Sequence, residues 1–325
     1  MSRNNSRLPP VYFCSVRLSA LASRKAVHLF EKVRNWPLFS SARIPLYVWA
    51  SLVSQILIVV TGGVVRLTGS GLGCPTWPKC TEDSLVTVPE MGIHGIIEFA
   101  NRLLTFALAL IALLTIVTVL RSSELSKRLA LRFPAIALLL GIPAQAVLGG
   151  FTVLTKLNPW LVGAHFVLSG ILIALASLLL FRTYNLGGER QPSKLRAIAA
   201  LTLVVGWIAV LVGVLVTGAG PHSGDAESVR NGLDLETWQH YHSYPAYATL
   251  LLAAFAFSQV IQRDKGLRGS NSALVAFLLV VSLIVQAIIG VVQSRMGVPP
   301  LLVGLHLLGA STIIALLHLQ WLFTF

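Results

Sequence analysis

The chain is predicted to be an all-α integral membrane protein, its eight transmembrane helices arranged as two pseudo-symmetric four-helix bundles related by a parallel internal repeat. Three observations predict this. Of the 325 residues, 55% are hydrophobic and only 11% charged, and the mean hydropathy of +0.78 lies far above the soluble norm. Apolar stretches of about 20 residues, long enough to cross a hydrocarbon core of roughly 30 Å, recur along the chain with short polar breaks. The chain also resembles itself at an offset of 141, which places Gln145 on Gln286.

Taken in order, the spans are predicted near residues 45–66, 92–120, 133–155, 160–182, 197–217, 239–261, 273–294 and 301–323. The junctions after the second, fourth and sixth spans are basic: Arg121, Lys127, Arg128 and Arg132; Arg182, Arg190, Lys194 and Arg196; Arg263, Lys265 and Arg268. The junctions after the odd spans are not, carrying Lys79, Lys156, Arg230 among four acids, and Arg295. The positive-inside rule then predicts both termini in the cytoplasm and the odd junctions outside. The net charge of +13 is therefore explained by topology and predicts no nucleic-acid partner.

Residues 1–43 hold Arg3, Arg7, Arg17, Arg24, Lys25, Lys32, Arg34 and Arg43 against the single acid Glu31. With no signal-peptide core, they predict a basic cytoplasmic arm, partly disordered or lying on anionic lipid headgroups. Residues 44–183 form the N-terminal half and 184–325 the C-terminal half.

The repeat carries the most specific signal. Gln145–His165, QAVLGGFTVLTKLNPWLVGAH, aligns with Gln286–His306, QAIIGVVQSRMGVPPLLVGLH, with eight of 21 positions identical, among them Gln145/Gln286, Gly149/Gly290, Pro159/Pro300 and His165/His306. At an offset of 149, Thr68-Gly-Ser-Gly71 also matches Thr217-Gly-Ala-Gly220. With four helices in each half, both halves run in the same membrane direction.

Coordinating side chains inside a membrane are costly and usually face a bundle interior for a functional reason. His165, His242 and His306 each lie a few residues inside the outer end of a helix, at one depth. The interval from His242 to His306 equals that from Asn101 to His165, so the second half has a His pair where the first has Asn and His. Two facing imidazoles in a dry four-helix bundle suit axial ligation of haem iron better than a closed zinc site, which wants four ligands. The competing reading is a set of interface histidines bonded to neighbouring helices. His240, His222, His318 and His28 are assigned no ligand role.

Helix 2 opens with His94-Gly-Ile-Ile-Glu98-Phe-Ala-Asn101-Arg102, placing Glu98, Asn101 and Arg102 on one face and His94 one turn earlier. Glu98 is either neutralised structurally by Arg102 at i, i+4 or is a working carboxylate beside the first-half pocket. Its counterpart at the 141 offset is Gln239, which marks the first half as the reaction pocket. Cys74 and Cys80 lie in an outer loop, Cys-Pro-Thr-Trp-Pro-Lys-Cys, as a structural disulfide or as a redox-active pair on an accessible face. Cys14 is assigned nothing.

These motifs resemble the haem A synthase family of aerobic bacteria and mitochondria, from about Gly62 to the end of helix 8. Gly-Gly-Val-Val-Arg-Leu-Thr-Gly-Ser-Gly-Leu-Gly-Cys at 62–74, with Trp77-Pro78 and Cys80, looks like that family's helix 1 exit and cysteine loop. Ile-Ile-Glu-Phe-Ala-Asn-Arg at 96–102 resembles its Glu-x-x-His-Arg motif, and the repeated Gln-Ala to His segments resemble those that supply its later ligands.

The resemblance implies an enzyme that oxidises the C8 methyl of haem O to the formyl of haem A, with haem b as prosthetic group in the second half. It implies Glu98 as catalytic carboxylate, His165 as ligand of the substrate haem iron, His242 and His306 as ligands of haem b iron, and Cys74 with Cys80 as the outer-loop pair. His94, Asn101 and Arg102 line the substrate haem. Haem O, membrane lipid, an electron donor, a haem O synthase (protohaem farnesyltransferase) and a second copy of the chain are the implied partners, in the cell membrane with the pockets toward the outside.

The departure is Asn101, which stands where many members have a histidine. His94, seven residues earlier and about 10 Å higher, is one substitute; a substrate iron held by His165 alone would leave an open position for an oxidant. His242 is followed by Ser243 and not by an arginine. Two other readings compete: a quinol-linked haem b electron carrier without catalysis, against which Glu98 and the cysteines argue, and a transporter using His and Glu as a proton relay, which does not predict facing histidines at one depth.

Overall fold

The computed structural model describes residues 37–187, 191–264, 266 and 270–325, the side chains of 125–127 excepted. Most of the predicted basic arm, with Cys14 and His28, lies outside the described residues, as do Arg190, Lys265 and Arg268. The described residues form two short turns, Pro37–Phe39 and Ser41–Arg43, a third at Pro89–Met91, and eight long helices. These are α1 Ile44–Leu67, α2 Gly92–Leu120, α3 Leu125–Leu154, α4 Pro159–Thr183, α5 Ser193–Ala219, α6 Leu235–Arg263, α7 Asn271–Arg295 and α8 Pro300–Leu322. All eight are long and apolar enough to cross a membrane. The chain is a multi-pass, all-helical membrane protein.

Local chemistry sets the helix ends. Proline at the first helical position, whose fixed φ suits that site and whose missing N–H costs nothing there, starts α4 and α8. The side chains of Asn158, Asp234 and Ser270 accept hydrogen bonds from the free N–H groups of Trp160, Thr237 and Ala273 at 3.0, 2.8 and 3.0 Å. Asp234 lies outside the membrane-spanning segment, and its bond to Thr237 holds its carboxyl below the usual carboxylate range.

Most helices extend a few residues past the predicted spans. The largest difference is α3, which begins at Leu125 where the sequence predicts 133. Lys127, Arg128 and Arg132 make that segment too polar for an apolar stretch, yet it satisfies its backbone internally, and Pro134 and Pro143 are accommodated within the helix.

In the first half α1 packs on α2, α2 on α3, α3 on α4, and α4 returns to α1. The same circuit joins α5, α6, α7 and α8. Between the halves α4 packs on α8, α1 on α8 and α4 on α5. The turns before α4 and α8 share one geometry: Lys156 and Leu157 have φ of 52° and 59°, and their repeat counterparts Gly297 and Val298 have 73° and 62°. Leu157 N donates to Thr152 O at 2.7 Å and Val298 N to Gln293 O at 2.9 Å. Both are six-to-one bonds closing the end of the preceding helix on a left-handed residue.

The packed core lies toward the cytoplasmic side predicted for the chain. Its main cluster runs through Val48, Leu52, Val119, Leu138, Ile173, Leu179 and Ile314, binding the first half to α8. In the second half the buried residues of α6 fall between Thr249 and Val260, those of α7 between Ala273 and Leu283, and those of α8 between Ser311 and Gln320. Toward the opposite ends of these helices, where His242 and His306 sit, residues are less completely buried.

Candidate functional site

Glu98 stands two turns into α2 and is only 5% exposed. Its two oxygens are bound separately. Arg102, one turn on, donates from Nη2 and Nε to Oε1 at 2.5 and 3.1 Å, and the backbone N–H of Cys74 donates to Oε2 at 2.6 Å. Arg102 also donates to the carbonyls of Cys74 at 2.8 Å and of Thr76 and Lys79 at 3.1 Å each. A buried carboxylate without such partners would be expensive; here one guanidinium neutralises it and clamps the cysteine loop over it.

The structural pairing foreseen for Glu98 and Arg102 therefore forms, and it leaves the carboxylate in contact with the loop. Cys74 and Cys80 are joined in a disulfide with both residues fully buried, so the bond does not lie on the accessible face that a redox role was expected to need. Trp77, at the loop's centre, lies against Gly150 of α3: a Cβ on that glycine would fall 2.4 Å from the indole. Its neighbour Gly149 faces His165, at 3.2 Å from the ring by the same measure. The loop thus reaches the segment of α3 that packs against the His165 ring of α4.

The remaining first-half residues divide. His94 is exposed, and its Nδ1 meets Ser70 Oγ at 2.9 Å, which in turn meets Thr68 Oγ1 at 2.8 Å. Asn101 Oδ1 accepts from Thr61 Oγ1 of α1 at 2.8 Å. The His165 ring makes no hydrogen bond with described residues, and its buried Nδ1 has no partner.

In the second half His242 of α6 and His306 of α8 face each other with ring centres 6.2 Å apart. His242 Nδ1 sits 2.9 Å from Ala209 O of α5, leaving Nε2 as the free nitrogen, while His306 Nδ1 is buried without a partner. Glycines make room for each ring: a Cβ on Gly213 would lie 2.9 Å from His242, and one on Gly290 3.3 Å from His306. Gln286 Nε2 donates to His306 O at 2.9 Å, and Gln145 Nε2 to His165 O at 3.1 Å.

A haem iron fits this donor set. A metal–imidazole bond is about 2.0–2.1 Å and the ring centre lies about 1.1 Å beyond the nitrogen, so imidazoles on opposite sides of one metal sit about 6 Å apart. Among the described residues no three His, Cys, Asp or Glu gather as a closed metal site. Of the other histidines, His222 Nε2 meets Val298 O at 2.8 Å, while His318 Nδ1 bonds back to Ile314 O of its own helix at 2.8 Å and its Nε2 accepts from Trp207 Nε1 of α5 at 3.3 Å.

Residues 45–318 match the model of the cytochrome oxidase assembly protein family, COX15-CtaA. The chain belongs to that family. Relatives of the family named heme A synthase include one from Shewanella oneidensis, 29% identical over 54% of this chain and 56% of that protein. Another from Geobacillus thermodenitrificans is 29% identical over 45% and 44%, and one from Bradyrhizobium sp. 27% identical over 80% and 85%. The chain thus spans about half the length of the first two of these relatives and most of the third.

Sequence reasoning placed Trp77 in the cysteine loop but missed its contact with Gly150, and missed the role of the glycines that accommodate the histidine rings. Gly149 and Gly290 carried a signal, being identical across the repeat, though nothing tied them to the histidines. Trp77 and Gly150 stand far apart in the chain, with no periodicity to link them.

Proposed function

We propose that the chain is a haem A synthase, an oxidoreductase that converts the C8 methyl group of haem O to the formyl group of haem A. The observation that carries this reading is the buried Glu98 carboxylate, bound on one oxygen by Arg102 and on the other by the Cys74 amide, in a family whose named relatives are heme A synthases. A membrane electron carrier needs imidazoles; it has no use for a carboxylate held in this way.

In this reading residues 44–183 hold the substrate haem and residues 184–325 hold haem b. His242 and His306 ligate the haem b iron, and His165 the substrate iron. Haem b supplies one-electron chemistry when bound, its potential set by two imidazole ligands and a largely apolar surround. Ala209 O fixes the tautomer of His242 so that Nε2 is available to metal.

Converting CH3 to CHO by two hydroxylations is a four-electron oxidation of that carbon, with the oxidant supplied from outside the chain. Glu98 is the group in the first half able to accept a proton from the reacting carbon's side. Arg102 and the Cys74 N–H keep its carboxylate oriented, and the Trp77 loop covers it. The oxygen source, the electron donor and the haem O-forming farnesyltransferase lie outside the chain. The termini face the cytoplasm of a cell membrane and both pockets open toward the outside.

The test is pigment extraction with mass analysis after co-expression with a haem O source, comparing the intact chain with Glu98→Ala. Formyl haem from the first and none from the second supports the synthase. Bound haem b with no modified haem in either identifies an electron carrier.

A further inference from the structure

The two halves hold their residues at positions 101 and 242 differently. His242 is turned by Ala209 O, and Gly213 leaves space for its ring. By the offset of 149 that aligns Thr68-Gly-Ser-Gly71 with Thr217-Gly-Ala-Gly220, Gly213 corresponds to Val64. The position that makes room for His242 in the second half is thus a branched residue in the first. The residue present is Asn101, and its amide is oriented: Thr61 donates to Oδ1 at 2.8 Å, while no partner of the NH2 group is found among the described residues. Where the second half has histidine and glycine, the first has a hydrogen-bonded amide and a valine.

His94 does not restore the missing ligand. It lies seven residues earlier, about 10 Å along the helix, is exposed, and directs Nδ1 to Ser70. His165, by contrast, retains the features of His306: a partnerless buried Nδ1, a glycine against the ring and a glutamine on its carbonyl.

We propose that the first-half haem has one protein ligand, His165, and that its open position faces the Asn101 NH2, which donates a hydrogen bond to a small uncharged diatomic ligand bound there. This rests on the reading that both halves bind haem. The second-half haem, closed by His242 and His306, takes no such ligand. An amide serves this purpose better than a charged donor, since it polarises a bound diatomic without delivering a proton to it.

The experiment is optical, resonance Raman and carbon monoxide titration of the full chain purified with haem and reduced with dithionite. The expected result is one six-coordinate low-spin and one five-coordinate high-spin haem per chain, with one carbon monoxide bound. Asn101→Ala should keep that binding but raise the C–O stretching frequency and speed release roughly fivefold, the loss of one hydrogen bond. Asn101→His with Val64→Gly, which rebuilds the second-half arrangement, should turn the high-spin haem low-spin and abolish carbon monoxide binding.

Two low-spin haems and no carbon monoxide binding in the unmodified chain would overturn the inference and leave the synthase reading standing. So would a C–O stretch indifferent to Asn101→Ala, or a double variant that stays high-spin. A chain that binds no haem at all would overturn both.

Discussion

The backbone N–H of Cys74 donates to Glu98 Oε2 at 2.6 Å, so a residue of the disulfide loop touches the one carboxylate buried in the first half. Because Arg102 holds the other oxygen and three loop carbonyls besides, carboxylate, guanidinium and loop form a single unit. Perturbing any of the three should be felt by the other two.

Arg102→Ala should be the most damaging single change in this unit. It leaves Glu98 buried without a countercharge, a loss of the order of 3–5 kcal/mol for a fully buried pair and less here because the guanidinium is partly exposed. Arg102→Lys keeps the charge but cannot serve the carboxylate and three carbonyls together. Thermal unfolding followed by size-exclusion chromatography should rank native above Lys above Ala, with formyl haem yield in the same order.

Glu98→Gln separates chemistry from packing. The amide oxygen can still accept from Cys74 N–H, so the loop should stay docked and bound haem should remain within about twofold of the native chain. Formyl haem should fall by about 10²–10⁴-fold if Glu98 moves the proton. A variant that keeps full yield would assign the carboxylate to structure alone.

Replacing both cysteines by serine opens a seven-residue loop, costing about 2 kcal/mol from loop closure and loosening Trp77 from Gly150. Melting should drop by several degrees and formyl haem yield should fall, while the spectrum of the second-half haem stays unchanged. Because both cysteines are buried, a membrane-impermeant phosphine should reduce the native disulfide far more slowly than it reduces a solvent-exposed one of similar loop size. Fast reduction would mean that the loop opens readily.

How far the sequence revealed this arrangement depends on the range of each interaction. The eight helices were legible because hydropathy is local and a bilayer demands about 20 apolar residues in a row; the start of α3 was not, because a helix can run on through charged residues that leave no apolar signature. Glu98 and Arg102 were legible as an i, i+4 pair. Their hold on Cys74, Thr76 and Lys79 was not, because it joins a helix to an irregular loop far from it in the chain, where nothing periodic survives. The histidine pair could be read only because the chain repeats itself, which turned a lone intramembrane imidazole into a matched set.

Gly213→Val tests that matched set from its least conspicuous member. A Cβ there would already lie 2.9 Å from the His242 ring, and the two further methyl groups leave the imidazole no position that also keeps its bond to Ala209 O. Valine is the residue the first half carries at the corresponding Val64, so the backbone of such a helix tolerates it. The second-half haem should then lose a ligand while the chain still folds, and the low-spin Soret contribution should fall by at least half relative to protein. Gly62→Val, in the corresponding helix of the first half but with open space where its Cβ would stand, is the control and should leave the spectrum as it was. If Gly213→Val also leaves the spectrum untouched, His242 does not ligate the iron, and the second-half pair is an interface contact between α6 and α8.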